Sequence, residues 1–191
     1  MKCTSIIKIT TIGNIIAIFI IYSLAQYYKH VNSWIPLISD CLVYPPERYI
    51  ARITLPIFWT FGAYISQLGI NFRINRHSIF DHVFSSLLTS STSVLSLCIL
   101  AISEHEDKNL HDVCATLYFA LMTFYITYIT LKVKYYNILS FVCLSNYISI
   151  LCFISYKKHI FEWILFANIT ITFNAMSDRL NYQYINFSLN Y

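Results

Sequence analysis

Residues 135–156 read YYNILSFVCLSNYISILCFISY and contain no Asp, Glu, Lys or Arg. A charge-free run of this length matches the roughly 20 helical residues that cross a hydrocarbon core. Working outward from it, five more apolar segments approach the same length. With 135–156 included, the six run over 9–28, 53–72, 83–103, 113–131, 135–156 and 160–177. None alternates at a period of two, which argues against a transmembrane barrel. In lipid the backbone must satisfy its own polar groups, and a helix does so within one segment. The predicted fold class is therefore all-α: a polytopic membrane protein, with residues 1–191 forming one six-transmembrane-helix bundle.

The composition agrees. The chain is 57% hydrophobic and 12% charged, where a soluble domain carries about a quarter charged residues. A net charge of +4 spread without a basic run gives no purchase for nucleic acid. Six cysteines lie apart: Cys98, Cys114, Cys143 and Cys152 fall in or at the edge of apolar stretches, Cys3 is terminal, and Cys41 is in a loop. At most one disulfide is expected, and no CxxC or zinc-finger spacing occurs. No P-loop, dinucleotide fingerprint or nucleophile elbow is present, so no cofactor is expected.

Lys2 and Lys8 before the first apolar run, with Ser23-Leu24-Ala25 after it, resemble a secretory signal. The run is long for a signal core, and a retained helix is expected. With the N-terminus cytosolic, Lys2, Lys8, Arg73, Arg76, Lys132, Lys134 and Arg179 fall on the cytosolic side. Lys29, Arg48, Arg52, Lys108, Lys157 and Lys158 fall opposite, a bias of seven to six toward N-in. Asn186-Phe187-Ser188 is a glycosylation sequon in a tail expected to be cytosolic, whereas Asn168-Ile169-Thr170 lies inside a span.

The third span is dense in small hydroxyls, from Ser85 and Thr89 to Thr92 and Ser96. Small residues let helix backbones approach, so close packing is expected, with a hydrophilic pathway as the alternative. A channel or transporter needs polar residues along several helices at mid-depth, and here the charges stop at the helix mouths.

The polar chemistry collects on one face. NSWIPLISDCLVYPPERYIAR (32–52) is too apolar for a free loop, and Pro36, Pro45 and Pro46 bar a regular helix through it. It is expected to lie along the membrane surface and cover the helix mouths, with Asp40, Glu47, Arg48 and Arg52 in ion pairs or on a charged head group. Arg52, at or just inside the start of span two, reads either as a snorkelling arginine or as a phosphate contact. In SEHEDKNLHD (103–112), His111 and Asp112 read either as a helix cap or as acid–base groups. The spacing, with His105 and Glu104 included, fits no zinc motif, and no metal is assigned. Glu162, close to the apolar zone, requires a partner. Lys158 is within helical reach, and Arg52 and His111 are the long-range candidates. A structural ion pair is one reading; a lipid-binding or catalytic centre of Arg52, His111 and Glu162 is the other.

Three of these segments carry a family resemblance. NSWIPLIS with PPERYIAR resembles the first lumenal loop of the Frag/DRAM/Sfk superfamily, and Arg48 to Arg52 is most similar to its post-GPI-attachment-to-proteins factor two branch. The N-terminal domain of yeast-type GPI ceramide-remodelling proteins is also similar, and Pro36 to Asp40 with Pro46-Glu47 is shared with the DRAM branch. SEHEDKNLHD resembles the acidic loop before the family's fourth helix, with His111 in the matching place. Phe161-Glu162-Trp163 resembles the start of its last helix. One departure is that Asn174 lies near a position where GPI-linked members carry a histidine.

The resemblance implies a GPI-anchor lipid (fatty acid) remodelling factor in the Golgi or endoplasmic reticulum, acting at the lumenal face on GPI or lyso-GPI lipid. A remodelling acyltransferase is the implied protein partner. On that reading Arg48, Arg52 and Asp112 meet the lipid head group, while His111 and Glu162 act on the ester region as the catalytic pair. Without a recognisable nucleophile, a lipid-binding or accessory role is favoured over acyl transfer itself. The alternative is a DRAM-like lysosomal membrane protein that modulates autophagy.

Overall fold

The computed structural model describes residues 3–74, 78–102, 106–133, 137–156 and 159–189, with side chains within 4–179. Among them every regular element is helical. Helix α1 spans Cys3–Tyr27. A loop containing a 3-10 turn at Ser39–Leu42 leads to α2 (Glu47–Leu55), a π-helical segment (Pro56–Gly62) and α3 (Ala63–Ile74). Then follow α4 (Ile79–Ala101), α5 (Lys108–Lys132), α6 (Asn137–Tyr156) and α7 (His159–Leu189). Counting Glu47–Ile74 as one rod, six helices are long and apolar enough to cross a membrane.

Each rod packs on the next in sequence, and α7 returns to α1, so the six close into a ring. The first turns of α1 thus lie beside the later part of α7 at one end of the bundle, where Lys8 meets Asp178 at 3.3 Å. Helix α5 is the most buried rod. Its inward residues His111, Ala115, Tyr118, Met122, Tyr125 and Ile129 recur every three or four positions, the spacing that aligns side chains on one helix face.

The second rod begins earlier than the apolar pattern suggests, at Glu47 rather than residue 53. Arg52 therefore sits on the second turn of α2 rather than at the start of a span. Pro56 does not break the rod. Its ring blocks the ordinary helical bond, and the chain widens into the π segment instead. Helix α1 fits closely against that segment: Asn14 Nδ2 donates to the Phe58 carbonyl at 3.3 Å. A Cβ on Gly13 would stand 2.4 Å from the Phe58 ring.

The hydroxyls of α4 do pack. Ser85, Thr89, Thr92 and Ser96 form a buried stripe, while Ser90 and Ser91 on the other side are exposed. The stripe meets two amides that the sequence did not flag, Gln67 and Asn71 of α3. Asn71 Nδ2 donates to Thr89 Oγ1 at 3.0 Å, and Thr92 Oγ1 donates to Gln67 Oε1 at 3.3 Å. From α5, Tyr125 OH donates to Asn71 Oδ1 at 3.1 Å. Uncharged polar groups that satisfy one another tie α3, α4 and α5. In the last rod Asn168 is buried and donates to Ser145 Oγ of α6 at 3.0 Å, while Asn174 is half-buried.

Gly13 supplies the first prediction. Gly13→Leu forces the Phe58 ring or the π segment to shift, at a cost of about 1–3 kcal/mol for overpacking. Thermal unfolding of the purified chain in detergent checks it. A midpoint several degrees below the parent is expected, and an unchanged midpoint contradicts the close approach.

Candidate functional site

At the end of the bundle away from the termini, the loop between α1 and α2 lies over the helix mouths. Helix α1 stops at a left-handed residue, Lys29, with φ of 58°. The next amide, His30 N–H, returns to the Ala25 carbonyl at 2.9 Å, and Lys29 N–H to that of Gln26 at 3.1 Å. This paired closure ends the helix and turns the chain back over the bundle. Gln26 Nε2 then donates to the Ser33 carbonyl at 2.8 Å and Tyr22 OH to that of Trp34 at 3.0 Å.

The opposite wall is the first turn of α7. Trp163 Nε1 donates to the Pro36 carbonyl at 2.8 Å, and His159 Nδ1 lies 3.1 Å from the Ile35 carbonyl. From the same turn, Glu162 Oε2 accepts the Ile38 amide at 2.7 Å. Positions 159, 162 and 163 share one helix face, so a single turn grips three successive stretches of loop backbone. Glu162 is 7% exposed. A carboxylate so buried needs donors, and the loop supplies one. The Lys158 pairing suggested by spacing lies outside the described residues, as do Glu104 and His105.

Arg48 donates to Glu106 Oε1, and Arg52 Nη2 stands 3.6 Å from the same oxygen and 3.4 Å from the Ala101 carbonyl. His111 is buried, its Nδ1 held 2.7 Å from the Ile102 carbonyl. The α5 cap is Asp107, whose side chain accepts the Leu110 amide at 3.0 Å. Asp112 lies a full turn further on and does not cap. The capping role read for His111 and Asp112 therefore belongs to Asp107, because α5 begins at Lys108. Arg48, Arg52 and His111 line one crevice with Ser39, adjacent to the Ile38 amide that Glu162 holds. Only about 10 Å³ is free in this crevice, about the room that one water needs. The structure thus brings Arg48, Arg52 and His111 together directly and Glu162 through the loop. Asp112 stands apart, at the head of a groove with Lys108 and His159.

One feature was barely legible in sequence. Glu47, 0% exposed, points one carboxylate oxygen at His30 Nδ1, 2.9 Å away. Its other oxygen is buried with no hydrogen-bond partner among the described residues. The His30 ring is held between Tyr28 and Tyr44, with centroids 5.7 and 5.1 Å away. A lone histidine after a span carries no motif, and only the fold pairs it with Glu47. Among the described residues no three His, Cys, Asp or Glu side chains gather to hold a metal.

Cys41 lies in the same loop, outside the spans. Burial first, then the carboxylates of Asp40, Glu162 and Glu47, push its thiol up to about 12 from an ordinary 9.0. It is free, as are Cys98, Cys114, Cys143 and Cys152.

Residues 3–178 fit the family model described as Frag1/DRAM/Sfk1/Cwh43P N-terminal domain. No curated protein and no solved structure matches the chain.

The thiol yields a prediction with a definite sign. Only the thiolate reacts, and at pH 8 a pKa near 12 leaves about one Cys41 in ten thousand ionised, against about one in ten at 9.0. Maleimide labelling of Cys41, read by peptide mass spectrometry, is expected to run about a thousandfold slower in the folded chain than in the unfolded one. It should rise as pH climbs toward 12. Equal rates at pH 8 contradict the buried, carboxylate-ringed placement.

Proposed function

Since the chain belongs to the Frag1/DRAM/Sfk1/Cwh43P N-terminal domain family, we propose that it is a GPI-anchor lipid-remodelling factor. It acts at the lumenal face of the Golgi or endoplasmic reticulum and works as a lipid-binding accessory to a remodelling acyltransferase. The observation that carries this reading is the convergence of cationic and titratable side chains from separate rods around one loop at one bundle end. Arg48 and Arg52 from α2, Glu106 from the α4–α5 connection, His111 from α5 and Glu162 from α7 all meet there. The Arg48–Arg52 stretch, which resembles the GPI-linked branch, supplies that cationic edge.

In this role Arg48 and Arg52 bind the phosphate of GPI or lyso-GPI, since a guanidinium offers a planar donor fork to phosphate oxygens. Binding exchanges their contacts with Glu106, a partly exposed carboxylate whose ion pairs contribute little in water. His111 and Glu162 sit deeper, at the level of the lipid ester, with Asp112 at the head of the neighbouring groove. An accessory role suits the rim chemically. Its one thiol, Cys41, is held protonated. A thiol so held is not an activated nucleophile.

The test is a surface assay. Cells lacking the chain are expected to lose GPI-anchored proteins from their surface severalfold, measured by flow cytometry. Re-expression of the parent restores the level and Arg52→Ala does not. Normal surface levels in the null cells overturn the proposal, and a lysosomal location without Golgi signal turns it toward the DRAM-like reading.

A further inference from the structure

Beside the rim loop the structure holds a polar pocket and an apolar groove that share one residue, Lys108. The pocket, about 430 Å³, is lined by His30, Asn32, Ser33, Asp40, Tyr44 and Lys108. The groove, about 540 Å³, lies over Val113, Leu117, Phe153 and Ile154, with Lys108, Asp112 and His159 at its head. Pro36 faces the pocket and Leu37 the groove, so one step of the loop forms the wall between them. From Lys108 to Leu117 the groove descends roughly 13 Å along α5, at 1.5 Å per residue. It therefore enters the apolar zone that acyl chains occupy.

We propose that pocket and groove together form a second lipid site, which takes the phosphorylated head group of a glycerophospholipid at His30 and Lys108 and one acyl chain along Val113, Leu117 and Phe153. The shape requires an amphiphile whose polar and apolar parts meet near Lys108. The charge pattern selects the head group. Lys108 is a point cation suited to a phosphate. His30 has Nδ1 committed to Glu47 at 2.9 Å, which leaves Nε2 as the ring nitrogen for a head-group amine or hydroxyl. Asp40, on the same lining, accepts from a head-group amine or hydroxyl. Because the ring is fixed by a buried carboxylate and two tyrosines before any lipid arrives, little ordering cost remains on binding. This site is separate from the crevice of Arg48, Arg52 and His111 and stands on geometry alone, so the surface assay above can fail without touching it.

Native mass spectrometry of the purified full chain, titrated with dipalmitoyl phosphatidylethanolamine or dipalmitoylglycerol, tests the assignment. The two lipids share their chains and differ in the phosphorylated head. The parent is expected to bind the phospholipid about tenfold tighter, as one charge-assisted hydrogen bond implies. Lys108→Gln and His30→Gln each remove most of that preference, and Lys108→Arg keeps it. Leu117→Trp, which fills the groove at an exposed position, weakens both lipids. Lys108 is exposed as well, so its variants are expected to melt with the parent. Equal binding of the two lipids by the parent, or a preference untouched by both Lys108→Gln and His30→Gln, overturns the site.

Discussion

The rim depends on one contact: the Glu162 carboxylate accepting the amide of Ile38, 124 positions earlier in the chain, at 2.7 Å. Burial makes the interaction strong, because a carboxylate out of water and an amide without a helical partner each need the other. It fixes Ile38 in the core, where that side chain is 1% exposed. With Ile38 fixed, Ser39 and Cys41 are drawn under the loop and the pocket and groove acquire their common wall. Trp163 and His159 contact the neighbouring carbonyls of Pro36 and Ile35. The loop is thus part of the bundle's packed structure, and the side chains it gathers owe their geometry to it.

Below the rim a different device holds the rods. Between helices in lipid there is little hydrophobic driving force, so association rests on close packing and on polar groups that satisfy one another. The α3–α4–α5 seam of Gln67, Asn71, Thr89, Thr92 and Tyr125 does this without a charge. On the other side, Gly13 lets α1 approach the π segment that Pro56 imposes. Neutral glue thus joins the rods at mid-depth, while ion pairs stand at the bundle ends, Arg48 with Glu106 at the rim and Lys8 with Asp178 opposite.

Much of this was legible in the sequence, for identifiable reasons. Six apolar runs name six rods because lipid admits few other solutions. The proline-rich, apolar loop was readable as a cover, since Trp34 to Ile38 have no reason to be so apolar in water. Burial of Glu162 followed from its position. Its contact with the Ile38 amide did not, because a backbone amide leaves no mark in sequence. Helix α2 begins before the apolar run for a similar reason: Glu47, Arg48 and Arg52 are polar yet helical, held by Glu106 and His30 from distant segments. Arg48, Arg52 and His111 line one crevice, which is nearly full. The roomy pocket centres on His30 and Lys108, ordinary flanking residues until folding sets them together.

Hydrogen–deuterium exchange over residues 35–42, in the parent and in Glu162→Ala, tests the central claim most directly. A hydrogen bond to a buried carboxylate is worth about 1.5–3 kcal/mol, and each 1.4 kcal/mol is tenfold in an opening equilibrium. The account predicts that the Ile38 amide is protected in the parent and exchanges roughly ten- to a hundredfold faster in the variant, while amides within α5 are unchanged. Rapid exchange at Ile38 in the parent, or equal protection in both proteins, would contradict it.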